Sequence, residues 1–237
     1  MDLRTAHRVL AAVLMPLGPA AVAVARYVMP YDTTDTPDEV VAGILGSPAA
    51  EELMAWLSLV ALLTLVPGAF AVLRLVRPGA PALAAAAGLL LVPGYLALFG
   101  SGVGDATVVA GAEAGVAPST LATILEIAYQ DPVASLAGTV FVVGHLAGTV
   151  VLGLALWRSR VVSPAWAVVM GVSQPLHLVA ALTANHPLDL LAWGMTAVAM
   201  GAAAVAVLRT RDDDWDVPAR PVRSRRGSAA QAAPVVS

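Results

Sequence analysis

The sequence predicts an all-α fold: a polytopic membrane bundle of six transmembrane helices, with short interfacial helices in the outer loops. Three observations predict it. The 237-residue chain is 59% hydrophobic and 12% charged, roughly half the charged share of a soluble domain, and its mean hydropathy is +0.81. Its apolar residues gather into six runs, each near the ~20 residues that cross a hydrocarbon core about 30 Å thick. Basic and acidic residues alternate between successive connections of those runs.

The runs cover about residues 9–29, 52–73, 80–101, 133–157, 164–184 and 188–208, so residues 1–211 form the transmembrane domain and 212–237 a tail. Arg4 and Arg8 precede the first span, Arg74 and Arg77 lie between the second and third, Arg158 and Arg160 between the fourth and fifth, and Arg209 and Arg211 after the sixth. The other connections carry Asp32, Asp35, Asp38, Glu39, Glu51 and Glu52, then Asp105, Glu113, Glu126 and Asp131, and finally Asp189. The positive-inside rule therefore places both termini in the cytoplasm. All 13 basic residues are arginine, a usage that fits a GC-rich bacterial genome and so a bacterial cytoplasmic membrane. Arg26 is the exception to the alternation, near the outer end of the first span, where Asp32 or Asp35 can meet it.

The first span begins after "MDLRTAHR" and is interrupted by Pro16, Gly18 and Pro19. Ala23-Val24-Ala25 also fits a small-residue cleavage pattern, so a signal peptide is an alternative reading of this span. In the first outer loop Thr36, Pro37 and Glu39 make a capping box with proline at the first helical position. The helix they start carries Val40, Val41, Ile44 and Leu45 as an apolar stripe suited to the membrane surface. Ser47 and Pro48 restart a helix that runs into the second span. "LVPG" occurs at 65–68 in the second span and at 91–94 in the third. Proline kinks of this kind are tolerated in membranes and mark substrate sites in some transporters, but these two copies lie in adjacent antiparallel spans, which suits kinked packing better. After "GVAP", Ser119 can cap a helix with Leu121, Ile124, Leu125 and Ala128 on one face, either interfacial or docked over the bundle. Gly144 and Gly148 in the fourth span, and Gly194, Ala197, Gly201 and Ala204 in the sixth, suit close helix approach. The tail, rich in proline, alanine and arginine, is expected to be disordered, with Arg220, Arg223, Arg225 and Arg226 solvated or touching anionic lipid.

Polar groups inside the spans are the candidates for chemistry, because the bilayer makes them costly. His145 lies near mid-membrane, with Thr149 one turn away and Gly144 and Gly148 beside it, so it faces another helix. His177 shares a helix face with Ser173 and Gln174. Counted along straight helices, His177 lies ~10 Å and His145 roughly 18 Å below the outer surface, a mismatch of roughly 8 Å that counts against a shared haem iron. His186 and Asp189 belong to the turn "ANHPLD", where Asp189 can cap the sixth span. Asp105 ends the third span on the same side. His145, His177, His186, Asp105 and Asp189 are thus the candidates for a ligand or proton site. A neutral histidine bonded across a helix interface, and acids acting as caps, are the plainer roles for the same residues.

Other chemistries find little support. With no cysteine, disulfides, thiolate metal sites and cysteine nucleophiles are excluded. "EELMAW" has the paired glutamates of an intramembrane prenyl-protease motif, but Trp56 stands where that motif has a basic residue, and "GSG" at 100–102 is only loosely like the rhomboid serine motif. No phosphate loop, HExxH or basic nucleic-acid stripe is present. The chain therefore reads as a non-enzyme, with no cofactor or metal specified and no nucleic-acid partner. The stretch "YDTTDTPDEVVAGILGSPAAEELMAWLSLVALLTLVPG", followed by four further spans, resembles a family of actinobacterial-type six-span membrane proteins of unassigned function. The resemblance implies fold and membrane location over roughly residues 5–208 and supplies no functional residues. The sequence favours a structural or accessory membrane component, as a homo-oligomer or bound to another membrane protein; the alternatives are a small transporter or proton-coupled permease and, after it, a haem- or metal-binding membrane protein.

Overall fold

A computed structural model describes residues 2–98 and 102–215. Within them the chain is helical, with no strand: α1 Leu3–Val28, α2 Pro37–Gly46, α3 Pro48–Val76, α4 Pro81–Ala97, α5 Gly102–Glu113, α6 Pro118–Gln130, α7 Pro132–Ser159, α8 Pro164–Leu182, α9 His186–Arg209 and α10 Asp212–Trp215. Five helices, α1, α3, α7, α8 and α9, are long and apolar enough to cross a membrane; α4 is apolar but has 17 residues. Part of the third predicted span, 99–101, lies outside the described residues, as do residues 216–237 of the tail.

The long helices form a closed circuit in chain order. α1 packs on α3, α3 on α4, α4 on α7, α7 on α8, α8 on α9, and α9 returns to α1. About half of the interior is alanine, as at Ala12, Ala69, Ala87 and Ala155, interleaved with larger side chains such as Met15, Leu91, Leu152 and Met170. Many other large apolar side chains point outward, Leu63, Phe70, Leu89 and Leu154 among them. A water-soluble fold would bury that surface. In lipid, where tails are as apolar as leucine, close backbone approach through small residues holds helices together.

The two "LVPG" copies show that principle at work. A Cβ on Gly68 would lie 2.8 Å from the Leu14 carbonyl oxygen on α1, and one on Gly94 would lie 3.1 Å from the Gly144 backbone on α7. Gly144 is tighter, at 2.6 Å from the Leu90 oxygen, and Gly148 would press on Leu91. Each motif glycine is therefore a contact point between neighbouring helices, and the helices continue through Pro67 and Pro93. Gly194 and Gly201, expected to serve the same purpose, face open space.

At the acidic end, the connections fold into a cap. The predicted box is present: Glu39 N–H donates to Thr36 Oγ1 at 3.4 Å, and Thr36 N–H to Glu39 Oε2 at 2.8 Å. Val40, Val41 and Ile44 then pack against Val108 of α5 and Leu121, Ala122 and Leu125 of α6. These parts of the apolar stripes thus cover one another, while Ile124 and Ala128 of the α6 stripe stay exposed. The cap of α6 is Ala117, with no side-chain bond, so Ser119 does not fill that role. α5 was not anticipated, and it places Asp105 in its first turn rather than at the end of the third span.

At the basic end, the first residues of the predicted tail are folded. α10 lies against α1: Arg8 Nε meets Asp212 Oδ1 at 2.7 Å, and Thr5 Oγ1 donates to Asp212 Oδ2 at 2.8 Å. Trp215 is buried under the Arg74 guanidinium, 4.8 Å from its ring centroid, and its carbonyl accepts from Arg74.

Candidate functional site

The circuit brings four helices together just below the cap. Arg26 stands in the last turn of α1 and Asp189 in the first turn of α9, each at the helix end whose dipole favours its charge. Their side chains meet, Arg26 Nε to Asp189 Oδ2 at 2.6 Å, with Arg26 18% and Asp189 1% exposed. Asp189 is therefore not the cap of the sixth span. Asn185 is, its Oδ1 accepting from Leu188 N–H at 2.9 Å. Nor does Arg26 meet Asp32 or Asp35, as its position along the chain suggested.

The second oxygen of Asp189 accepts from His177 Nδ1 of α8 at 2.5 Å. The His177 ring lies 5.5 Å from that of His145 on α7, centroid to centroid. The depth mismatch expected from straight helices is thus absorbed by the way the helices cross. His145 donates from Nδ1 to the Phe141 carbonyl at 2.6 Å, which leaves Nε2 as a lone-pair acceptor, and that atom is buried without a partner among the described residues. Trp193 of α9 completes the group, stacked 5.8 Å from His145 and edge-on 5.4 Å from His177. The three rings are in mutual contact, which leaves no slot for a porphyrin between the histidines. Among the described residues no three His, Asp or Glu side chains are gathered as a metal ion would need.

A polar chain continues from this group toward the middle of the bundle. Gln174 Nε2 donates to Thr196 Oγ1 at 2.9 Å, Thr196 Oγ1 to Ser173 Oγ at 2.8 Å, and Ser173 Oγ to the Met170 carbonyl at 2.8 Å. Gln174 Oε1 and Trp193 Nε1 are buried without partners, like His145 Nε2. These three atoms, two acceptors and one donor, are thus buried beside the ion pair.

Two of the five sequence candidates lie elsewhere. His186 Nε2 sits 2.8 Å from Asp32 Oδ1 at the acidic end of the bundle. Asp105 accepts from the Tyr31 hydroxyl at 2.8 Å inside the cap. Burial pushes the Asp105 carboxyl above the usual carboxylate range, with the Tyr31 bond opposing it. Burial and the neighbouring Asp105 also raise the Tyr31 phenol. Arg26 and Trp193 are the site residues that sequence reasoning missed. Both left a signal: Arg26 was the one arginine out of place, and Trp193 lies one turn after Asp189 and three residues before Thr196, on a single face of α9.

Fold and site together define a class, a polytopic helical membrane protein with an ion pair and two contacting histidines buried between its spans. The chain matches no protein-family model, no curated protein and no solved structure.

Proposed function

We propose that this chain is a six-span protein of a bacterial cytoplasmic membrane with both termini inside, that α4 is the sixth span, and that it works as a small proton-coupled transporter. The observation that supports this reading is the Arg26–Asp189–His177 network abutting His145 within membrane-crossing helices. A charged group costs about 2.5–3.5 kcal/mol at the centre of a spanning helix and less toward its ends, where Arg26 and Asp189 stand, and a buried ion pair is often matched in stability by apolar residues of similar volume. Net stability alone gives no reason to keep it. A histidine held to a carboxylate at Nδ1 is oriented to take a proton at Nε2, and Asp189 stabilises the imidazolium that results. His145, with its bare Nε2, is the next acceptor inward, and the Gln174–Thr196–Ser173 chain leads on toward mid-membrane.

Proteoliposomes loaded with a pH-sensitive dye test this directly. Proton flux in the wild type should fall at least tenfold in His145→Ala and in His177→Ala, and should persist in His186→Ala, whose half-buried side chain pairs with Asp32 away from this network. Flux that survives both of the first two substitutions sinks the transport reading. A second reading, an accessory component, is favoured by the way the same bonds tie α1, α8 and α9. On that reading His177→Ala lowers stability and the wild type carries no flux.

A further inference from the structure

At the basic end, a groove of about 1130 Å³ opens between the α7–α8 turn, the start of α8 and the end of α9. Its walls are apolar and small, formed by Val198, Gly201, Ala202 and Val205 of α9, with Trp166 of α8 at one side. Its rim carries Arg160 and Arg209, and no acidic residue lines it. Arg160 caps α7 in the left-handed region, φ 57°, with its N–H bonded to the Leu156 carbonyl at 3.1 Å, so the turn fixes where this arginine leaves the helix. Neither arginine is ion-paired among the described residues, whereas Arg8 and Arg26 both are.

We propose that this groove binds one phospholipid with an anionic headgroup, its phosphate between Arg160 and Arg209 and an acyl chain along the α9 wall. The chemistry selects this occupant. A soluble anion uses the arginines but has no use for an apolar wall, and a neutral lipid uses the wall but gains nothing from two cations. Trp166 stands where an aromatic ring sits at a membrane interface, and basic pockets between spans on the cytoplasmic side recognise anionic headgroups. The inference rests on the chain spanning a membrane and is independent of proton transport.

Native mass spectrometry of the delipidated full-length protein, titrated with phosphatidylglycerol or phosphatidylcholine of the same acyl chains, tests it. The wild type should prefer phosphatidylglycerol by roughly 30-fold, from the attraction expected of two arginines near the surface. The double variant Arg160→Gln, Arg209→Gln should lose that preference. Gly201→Leu should weaken retention of both lipids at unchanged melting temperature, because a Cβ there meets nothing within 4 Å and the added side chain fills the groove. Equal retention of the two lipids by the wild type overturns the proposal, as does a preference that survives in the double variant. Displacement of phosphatidylglycerol by millimolar inorganic phosphate alone overturns it too, by making the groove a site for soluble anions.

Discussion

The ion pair between Arg26 and Asp189 gives the sharpest test of how the site is held. Exposed pairs contribute about 0–1 kcal/mol. This one has its carboxylate 1% and its guanidinium 18% exposed, and removing one partner of a buried pair costs about 3–5 kcal/mol because the other charge is stranded. Asp189→Leu strands Arg26, which can extend partway to solvent, so its cost should fall at the low end, about 3 kcal/mol. Arg26→Leu leaves the buried Asp189 with only the His177 bond, so at least a similar loss is expected. The double variant removes both charges and should lie within about 1 kcal/mol of the wild type. The coupling from a double-mutant cycle is then roughly 3 kcal/mol or more. Unfolding of the full chain in mixed micelles titrated with SDS, followed by far-UV circular dichroism, measures all four proteins. A coupling under about 1 kcal/mol would refute the reasoning, because the pair would then behave as a surface pair.

Three further outcomes follow from other contacts. The Asp105 carboxyl is raised in the folded cap, so the folded state holds its proton to higher pH than the unfolded chain does; its stabilising contribution is full below the ordinary aspartate value and is lost as pH rises through the folded one. Asp105→Asn should therefore slow hydrogen exchange in α5 and α6 at neutral pH and flatten its pH dependence, and an unchanged slope would contradict this. Gly144→Ala drives a Cβ to 2.6 Å from the Leu90 carbonyl oxygen and should cost about 1–3 kcal/mol, whereas Gly194→Ala, with open space around it, should be neutral or stabilise by up to about 1 kcal/mol; SDS unfolding that ranks the two equally would show that α4 and α7 do not meet there. Trp215→Ala removes the ring buried beneath Arg74, so amide exchange should rise sharply in α10 while overall melting moves little, and retained protection of α10 would count against its docking.

The fold was legible where one physical cause dominates. Hydropathy located the five helices long and apolar enough to cross a membrane, Thr36 and Glu39 announced α2, and the arginine pattern separated the two ends. It failed where tertiary contact decides. α5, "GVGDATVVAGAE", lacks a clean apolar period, and although Gly115 at φ 80° closes its C-terminal end, its buried side chain, Val108, is buried by the α2 and α6 stripes. The site turned on small offsets. With Asn185 as the cap, α9 begins at His186, and this earlier start carries Asp189 from the helix boundary to an inward-facing position in its first turn. Depth counted along straight helices kept His145 and His177 apart, because helix crossing cannot be read from either helix alone.

Arg26 also answers a question of topology. Five of the six contacts in the circuit join helices that follow one another along the chain, so connections of limited length favour those pairings. The sixth, α9 on α1, joins the first long helix to the last and has no such help. That seam carries an ion pair at each end: Arg26 with Asp189 at the acidic end, and Arg8 with Asp212 at the basic end, where Arg8 Nη1 also donates to the Leu208 carbonyl at 2.5 Å. Apolar and small-residue contact is weakly directional, and α1 could slide or rotate on α9 at little cost. A buried charge pair at one end and a partly exposed one at the other fix both register and rotation, and the buried pair has the role in which such groups are best attested. The same fixing holds Asp189 against His177, so the seam that closes the bundle also orients the histidine that the proposed transport requires.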